Sequence, residues 1–296
     1  MLNRQVMEIK MDNIERCVPC FIEQIIDKLD KLALSQDQRQ QLIELTIEES
    51  KEILNGRSTP QVMMEVVQEI NKLTAGQDPY RRFKEKSTQA ALEILPRVEA
   101  KVSRAKNPFR TAVKVVVAAN VIDLVTLDEK DLGGVVNQLV SGVRENFAID
   151  QISELKKAIE AAAQVFYIGD NAGEAVFDRL LLRRINCDQL YYGVRGKPVL
   201  NDATPRDAVA SGIEDEGARI ISSGVPSPGA ILSVASARFK KIFRKSDLVI
   251  AKGQGNFEAL QELSRPVFHL FKIKCQLVAD QVQAPGDSFV VWRREP

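Results

Sequence analysis

Asp170 and Asn171 stand side by side in one turn, and a carboxylate next to an amide oxygen suits a hard cation. Three other stretches carry side chains of related character: Asn201-Asp202-Ala203-Thr204, Ser222-Ser223-Gly224 and Lys252-Gly253-Gln254-Gly255-Asn256. Acidic and amide oxygens crowd the first of these, and a lysine with two glycines fills the last. Oxygen-only ligands favour magnesium, with manganese, cobalt or nickel in its place. Lys252, beside backbone N–H groups freed by Gly253 and Gly255, suits phosphate oxygens. Each signal alone is commonplace, since an aspartate in such a loop is often a helix cap and a glycine-rich turn is often only a turn. Together, on one edge of one sheet, they point to a metal-assisted phosphoryl site.

Other chemistry-bearing residues are fewer. The single histidine, His269, lies in the strand-like run Val267-Phe-His-Leu-Phe271, so a Ser-His-Asp or Cys-His arrangement would depend on it. It reads better as a packed or edge-strand histidine, which leaves the chemistry to carboxylates, lysine and a metal. Cys17-Val-Pro-Cys20 is either a redox dithiol, half a zinc site, or two half-buried thiols at a helix end. Asn120-Val-Ile-Asp123 interrupts an apolar helix, as capping groups or as groups that hold a phosphate. Lys51 to Arg57 and Arg81-Arg82-Phe-Lys84-Glu-Lys86 read as solvated helix faces, with Tyr80 and Lys84 on one face as the alternative contact to a substrate.

The elements that position these residues follow from periodicity. Val165 to Ile168 is a short apolar run closed by Gly169, and from Gly173 the apolar residues recur at helical spacing: strand, tight turn, helix. Asp170 and Asn171 thus fall at the carboxyl end of a strand and beside a helix N-terminus, where open α/β sheets bind anionic ligands. A dinucleotide loop is excluded, because its fingerprint needs three glycines and only Gly169 and Gly173 are present. Strands alternate with helices from Gln164 to the tail Ser288 to Arg293, which is read as a last strand at an edge. Residues from about Asp12 to Val143 read almost wholly as helix, with Asp78-Pro79 and Asn107-Pro108 as helix starts. The expected architecture is α/β: a helical region (1–150) on a Rossmann-like, doubly wound, mostly parallel sheet domain (151–296) that carries the metal site.

Composition narrows the partners. Lys and Arg total 41 against 40 Asp and Glu, so no global charge argues for nucleic acid or an acidic membrane surface. The most apolar run, Ala112 to Val125, is broken by Lys114, Asn120 and Asp123, so no membrane span is expected. Four cysteines in 296 residues make no disulfide framework, and a cytoplasmic protein is expected.

Gly169-Asp170-Asn171-Ala-Gly-Glu174, Asn201-Asp202-Ala-Thr204, Lys252-Gly-Gln-Gly-Asn256 and Ala119-Asn120-Val-Ile-Asp123 together resemble the motifs of the damage-control phosphatases, the metal-dependent domain-of-unknown-function family 89. The Cys17-x-x-Cys20 pair resembles its compact archaeal and bacterial branch. The resemblance implies that Asp170, Asn171 and Asp202 hold a divalent cation and that Lys252, Asn120 and Asn256 face the phosphate. Ala119 departs from the family's usual glycine, and its methyl narrows the pocket beside Asn120.

The expected site is therefore Asp170 and Lys252 as catalytic groups, with Asn120, Ser223, Lys252, Gly253 and Asn256 binding substrate. Asp207 rivals Asp202 as third ligand, but Asp202 matches the motif. Glu174 is either a base or a residue placed for the helix dipole. The nucleophile stays open between a metal-held water and the Asp170 carboxylate. The implied activity is hydrolysis of phosphate monoesters of small metabolites such as sugar phosphates. The competing readings are an S-adenosylmethionine-dependent carboxyl methyltransferase, against which the Asp-Asn loop argues, and a metabolite-binding or redox-sensing protein built on Cys17 and Cys20.

Overall fold

The computed structural model of the protein describes residues 14–119, 136–137, 139–140, 147–260 and 263–296. Among the described residues, these helices precede the sheet: α1 (Cys17–Asp30), α2 (Gln36–Leu54), α3 (Thr59–Leu73), α4 (Arg81–Ser103) and α5 (Pro108–Ala118). Ser35 and Ser58 begin α2 and α3 with capping boxes closed by Gln38 and Gln61. Asn107 caps α5 ahead of Pro108, as its sequence requires. The five helices do not form one body. Phe21, Ile25, Leu42, Val62 and Val66 close a small core among α1, α2 and α3. The apolar faces of α4 and α5 turn instead toward the sheet domain, with Val113, Val116 and Val117 packed into its main core.

The rest of the chain alternates: β1 (Phe147–Asp150), α6 (Ile152–Ala161), β2 (Gln164–Ile168), α7 (Ala172–Leu182), β3 (Gln189–Val194), α8 (Pro205–Ala210), β4 (Arg219–Ser222), α9 (Ala237–Lys245), β5 (Leu248–Lys252), α10 (Gln254–Ala259), β6 (Val267–Lys272), α11 (Gln276–Val282) and β7 (Phe289–Arg294). The strands form one sheet in the order β1-β7-β6-β5-β2-β3-β4, parallel throughout except for the antiparallel β6–β7 pair. This is the expected α/β class. Central β2 and β5 are buried along nearly their whole length, because cores cover both sheet faces. From β2 the chain steps outward to β3 and β4, then returns to lay β5 on the other side of β2. The crevice between the carboxyl ends of β2 and β5 is therefore the topological switch point, where such sheets bind ligands.

Three expectations shift. The last strand is not an edge: β7 lies between β6 and β1, and the four-residue β1 takes the edge. That strand is too short to register in the sequence pattern, so the sheet also begins slightly inside the expected helical region. Helix α10 starts at Gln254 rather than near Phe257, because Gly253, at φ +80°, turns the chain directly into it. Among the described residues no helix is long and apolar enough to cross a membrane.

Candidate functional site

Asp170 leaves the end of β2 and Lys252 closes β5, so the switch point brings the two together. The fit is close: a Cβ on Gly253 would stand 1.9 Å from Asp170 Oδ2, so only glycine leaves the carboxylate room. Asp202 arrives by a longer route than the sequence implied. No strand precedes it directly; after β3 the chain runs outward from Arg195 and folds back. Ala203 N–H donates to the Asp170 carbonyl (2.8 Å) and Ala172 N–H to the Asn201 carbonyl (3.0 Å), while Asn171 and Asp202 pair as an isolated antiparallel bridge. These backbone bonds bring Asp170, Asn171 and Asp202 into one cluster.

Arg195 organises that cluster, and sequence reading missed it. Its buried guanidinium donates through Nε to Asp202 Oδ2 (2.6 Å), through Nη2 to Asp170 Oδ1 (3.2 Å) and through Nη1 to Asn256 Oδ1 (3.0 Å). A planar fork with fixed donors orients two carboxylates in a way that a lysine would not.

Beneath the cluster lies a second layer. Lys252 Nζ, fully buried, donates to Asp178 Oδ1 (2.9 Å) and Glu174 Oε2 (3.2 Å). Glu174 and Asp178 are four residues apart on α7 and so share one helix face. Asp178 also accepts from the hydroxyls of Tyr167 and Tyr192, each at 2.7 Å, whose rings stack 5.5 Å apart. Burial works against the Lys252 ammonium, but Asp178 and Glu174 outweigh it and hold the lysine well above its ordinary range. Asp178 was also missed: it sits inside an apolar helical stretch, and only a charged residue among Val176, Phe177, Leu180 and Leu181 marks it.

The carboxylates are crowded. Burial pushes Glu174 up to about 7 against the pull of Lys252, and Asp202 up to about 6 against Arg195, with Asp170 raising both. Four carboxylates (Asp170, Glu174, Asp178, Asp202) crowd the two cations bonded to them (Lys252, Arg195), and Lys274 also bears on Glu174 and Asp202. Among the described residues no three His, Cys, Asp or Glu side chains meet in metal-holding geometry. The converging donors are two carboxylates and the amide of Asn171, an oxygen-type set whose chemistry suits a divalent hard cation.

The other expected residues divide. Asn256, expected to face a phosphate, is occupied at every hydrogen-bonding position. Oδ1 accepts from Arg195 and from Ala230 N–H (2.9 Å), and Nδ2 donates to the carbonyls of Gly169 (3.0 Å) and Lys252 (2.7 Å). It is a strut that ties β2, β3 and β5 together at their ends. Ser223 Oγ accepts from Gly196 N–H (3.0 Å) and is buried, fastening two turns to each other. Asn120 and Asp123 lie outside the described residues. Asp207 is taken by Lys84 Nζ (2.7 Å) and by Thr204 N–H (2.9 Å), which leaves Asp202 as the third ligand candidate. Lys84, buried between Asp78 and Asp207, locks α4 to the loop that bears Asp202. Cys17 is pushed up to about 11 by burial and by Glu258 and Cys275, the reverse of a reactive dithiol. His269 is fully buried against Phe257, 5.4 Å ring to ring, the packed histidine that its strand context implied.

The sequence profile of the damage-control phosphatase ARMT1-like domain matches residues 13–289, nearly the whole chain. The chain belongs to the damage-control phosphatase family. A damage-control phosphatase of Pyrococcus horikoshii is 30% identical over 285 residues, covering 94% of this chain and 97% of the relative. An uncharacterized protein of Methanocaldococcus jannaschii is 32% identical over 290 residues, 94% of each chain. The crystal structure of a family 89 protein from Pyrococcus horikoshii superposes with a TM-score of 0.82 at 29% identity, covering 95% of this chain and 98% of the other. Membership in the phosphatase family supports a hydrolytic, phosphatase-type function, and it agrees with a cluster of oxygen donors at a sheet's switch point.

Proposed function

We propose that the protein is a cytoplasmic, metal-dependent phosphomonoesterase acting on small phosphorylated metabolites such as sugar phosphates. One observation carries the reading: Asp170, Asn171 and Asp202 converge at the switch point within a buried cluster crowded with carboxylates. Asp170, Asn171 and Asp202 would hold the cation. When bound, it supplies Lewis acidity that draws charge from the phosphoryl oxygens.

The chain's own residues do the remainder. Arg195 fixes the two aspartates, so no reorganisation is needed when a phosphate arrives. The α7 N-terminus, at Ala172, adds the positive end of a helix dipole beside Asp170. Lys252, held charged at every working pH, offsets negative charge gathering above it. Glu174, pushed up to about 7 by burial, exchanges a proton near neutrality and is suited to take one from the attacking water. Gly253 keeps the space at Asp170 open.

The test is phosphate release from a panel of sugar phosphates and nucleotides, with and without magnesium, manganese, cobalt or nickel, for the wild type and Asp170→Ala. Metal-dependent release that disappears in the variant is expected. Full activity in Asp170→Ala, or release indifferent to metal, would overturn the reading.

A further inference from the structure

A cavity of about 790 Å³ opens where the residues just after α1, the turn from α3 into α4, and the stretch from Pro198 to Asp207 meet. None of Asp170, Asn171, Asp202 and Lys252 lines it. Its volume is that of a site for a small metabolite, roughly 300–1,000 Å³. Five lining side chains are cations, Lys31, Arg81, Arg82, Lys84 and Arg206, and two are carboxylates, Asp78 and Asp207. Both carboxylates are taken. Lys84 Nζ lies 2.7 Å from each, Asp78 also accepts from Tyr80 N–H (3.0 Å), and Asp207 accepts from the Thr204 N–H (2.9 Å) and hydroxyl (2.6 Å). An ammonium has three donors, so buried Lys84 keeps one without a partner among the described residues, on the cavity wall.

The remaining cations are held loosely. Arg81 Nε (3.1 Å) and Arg206 Nη2 (2.8 Å) meet on one oxygen, Glu85 Oε1, and all three side chains are at least half exposed. Water screens such pairs, so they hold their groups weakly. Lys31 pairs with exposed Asp27 in the same way, and Arg82 is exposed with no ion pair among the described residues. Five cations thus face four carboxylates (Asp27, Asp78, Glu85, Asp207), so a positive charge is left over with every ion pair formed. Glu85 brings one negative charge to two guanidiniums. A dianion satisfies both, and planar guanidinium forks match phosphate oxygens two at a time.

We propose that this cavity binds a small molecule through a phosphate dianion, which draws Arg81 and Arg206 away from Glu85 and takes further charge from Arg82 and Lys84. It is a second anion site, separate from the switch-point cluster, and it stands whether or not the chain is a phosphatase.

The experiment is calorimetric titration of the full chain with pyrophosphate, inorganic phosphate and acetate, in metal-free buffer of low ionic strength, where the carboxylate-crowded switch point has no cation with which to hold an anion. The wild type is expected to bind one pyrophosphate per chain, phosphate more weakly, and acetate not at all. Arg81→Gln and Arg206→Gln should each weaken pyrophosphate about 10-fold, as loss of a charge-assisted hydrogen bond does. Glu85→Gln removes the competitor and should tighten it about 3–10-fold, a gain that a merely structural role for these residues would not give. Asp170→Asn is expected to bind pyrophosphate as the wild type does. Arg81, Arg206 and Glu85 are exposed, so these variants should melt within a few degrees of the wild type. A wild type that fails to bind pyrophosphate at millimolar concentration, arginine variants that bind it unchanged, a Glu85→Gln that binds it no more tightly, or acetate bound as well as phosphate would each overturn the proposal. So would loss of binding in Asp170→Asn, which would put the anion at the switch point instead.

Discussion

Lys252 and Lys28 are both wholly buried ammonium groups, and they sit in opposite electrostatic conditions. Lys252, at the floor of the switch point, has two carboxylates in hand, and one of these is itself held by two tyrosine hydroxyls. Lys28, in the helical wall, has an aromatic ring and no hydrogen bond to any described residue. A buried charge with its partners inside the fold is part of the scaffold. One without a hydrogen-bond partner among the described residues carries the cost of its burial unoffset.

The largest expected effect comes from removing the satisfied lysine. Lys252→Met leaves Glu174 and Asp178 buried without a cation and should cost about 3–5 kcal/mol in urea denaturation, together with loss of phosphate release. Lys28→Met has the opposite sign in stability. If both variants destabilise alike, the distinction fails.

An alkaline titration of stability gives a smaller effect. The folded pKa of Lys28, about 8, lies below its ordinary 10.5, so between these values the unfolded chain holds the proton longer and stability rises with pH. Lys252 is raised, so its contribution is complete throughout that window and declines only above it. The wild type should therefore gain on the order of 2–3 kcal/mol relative to Lys28→Met between pH 8 and 10.5. A difference curve that is flat there would mean that Lys28 has a partner after all. Smaller again, Tyr192→Phe removes one of the two hydroxyls on Asp178 and should cost about 1.5 kcal/mol by thermal unfolding. No loss would show that Lys252 alone satisfies that carboxylate.

The two lysines also differ in how far their roles are legible. Lys252 ends an apolar strand and precedes two glycines, so strand, turn and charge are local and read directly; the same holds for Asp170 and Asn171. The network that makes Lys252 work is less visible. Asp178 resembles any charged residue in a helix until α7 is laid against β2. Arg195 resembles any arginine after a strand until the chain from 195 to 203 folds back beneath it. Asn256 matched a motif, but its amide turns inward because β2, β3 and β5 end around it. Lys28 was invisible for a different reason: Asp27-Lys28-Leu29-Asp30-Lys31 has the composition of a solvated face, yet the middle lysine is buried with the Tyr80 ring beside it. Local pattern reveals which residues begin a site; long-range packing decides which charges lose their water.

The smallest effect sharpens this point within a single helix. Lys31 is one turn from Lys28, lines the cavity and stands 5.2 Å from the Tyr80 ring. Its side chain is 39% exposed and paired with Asp27, itself 57% exposed. Water screens that pair, so Lys31→Gln should change stability by less than about 0.5 kcal/mol at 0.15 M salt. Its effect on stability should be erased by added salt, whereas that of Lys28 persists, because desolvated charges are screened little. Comparing the two variants at low and high ionic strength by calorimetry checks this. Equal salt sensitivity would mean that burial, the property that sets Lys28 apart, is not what gives it its effect.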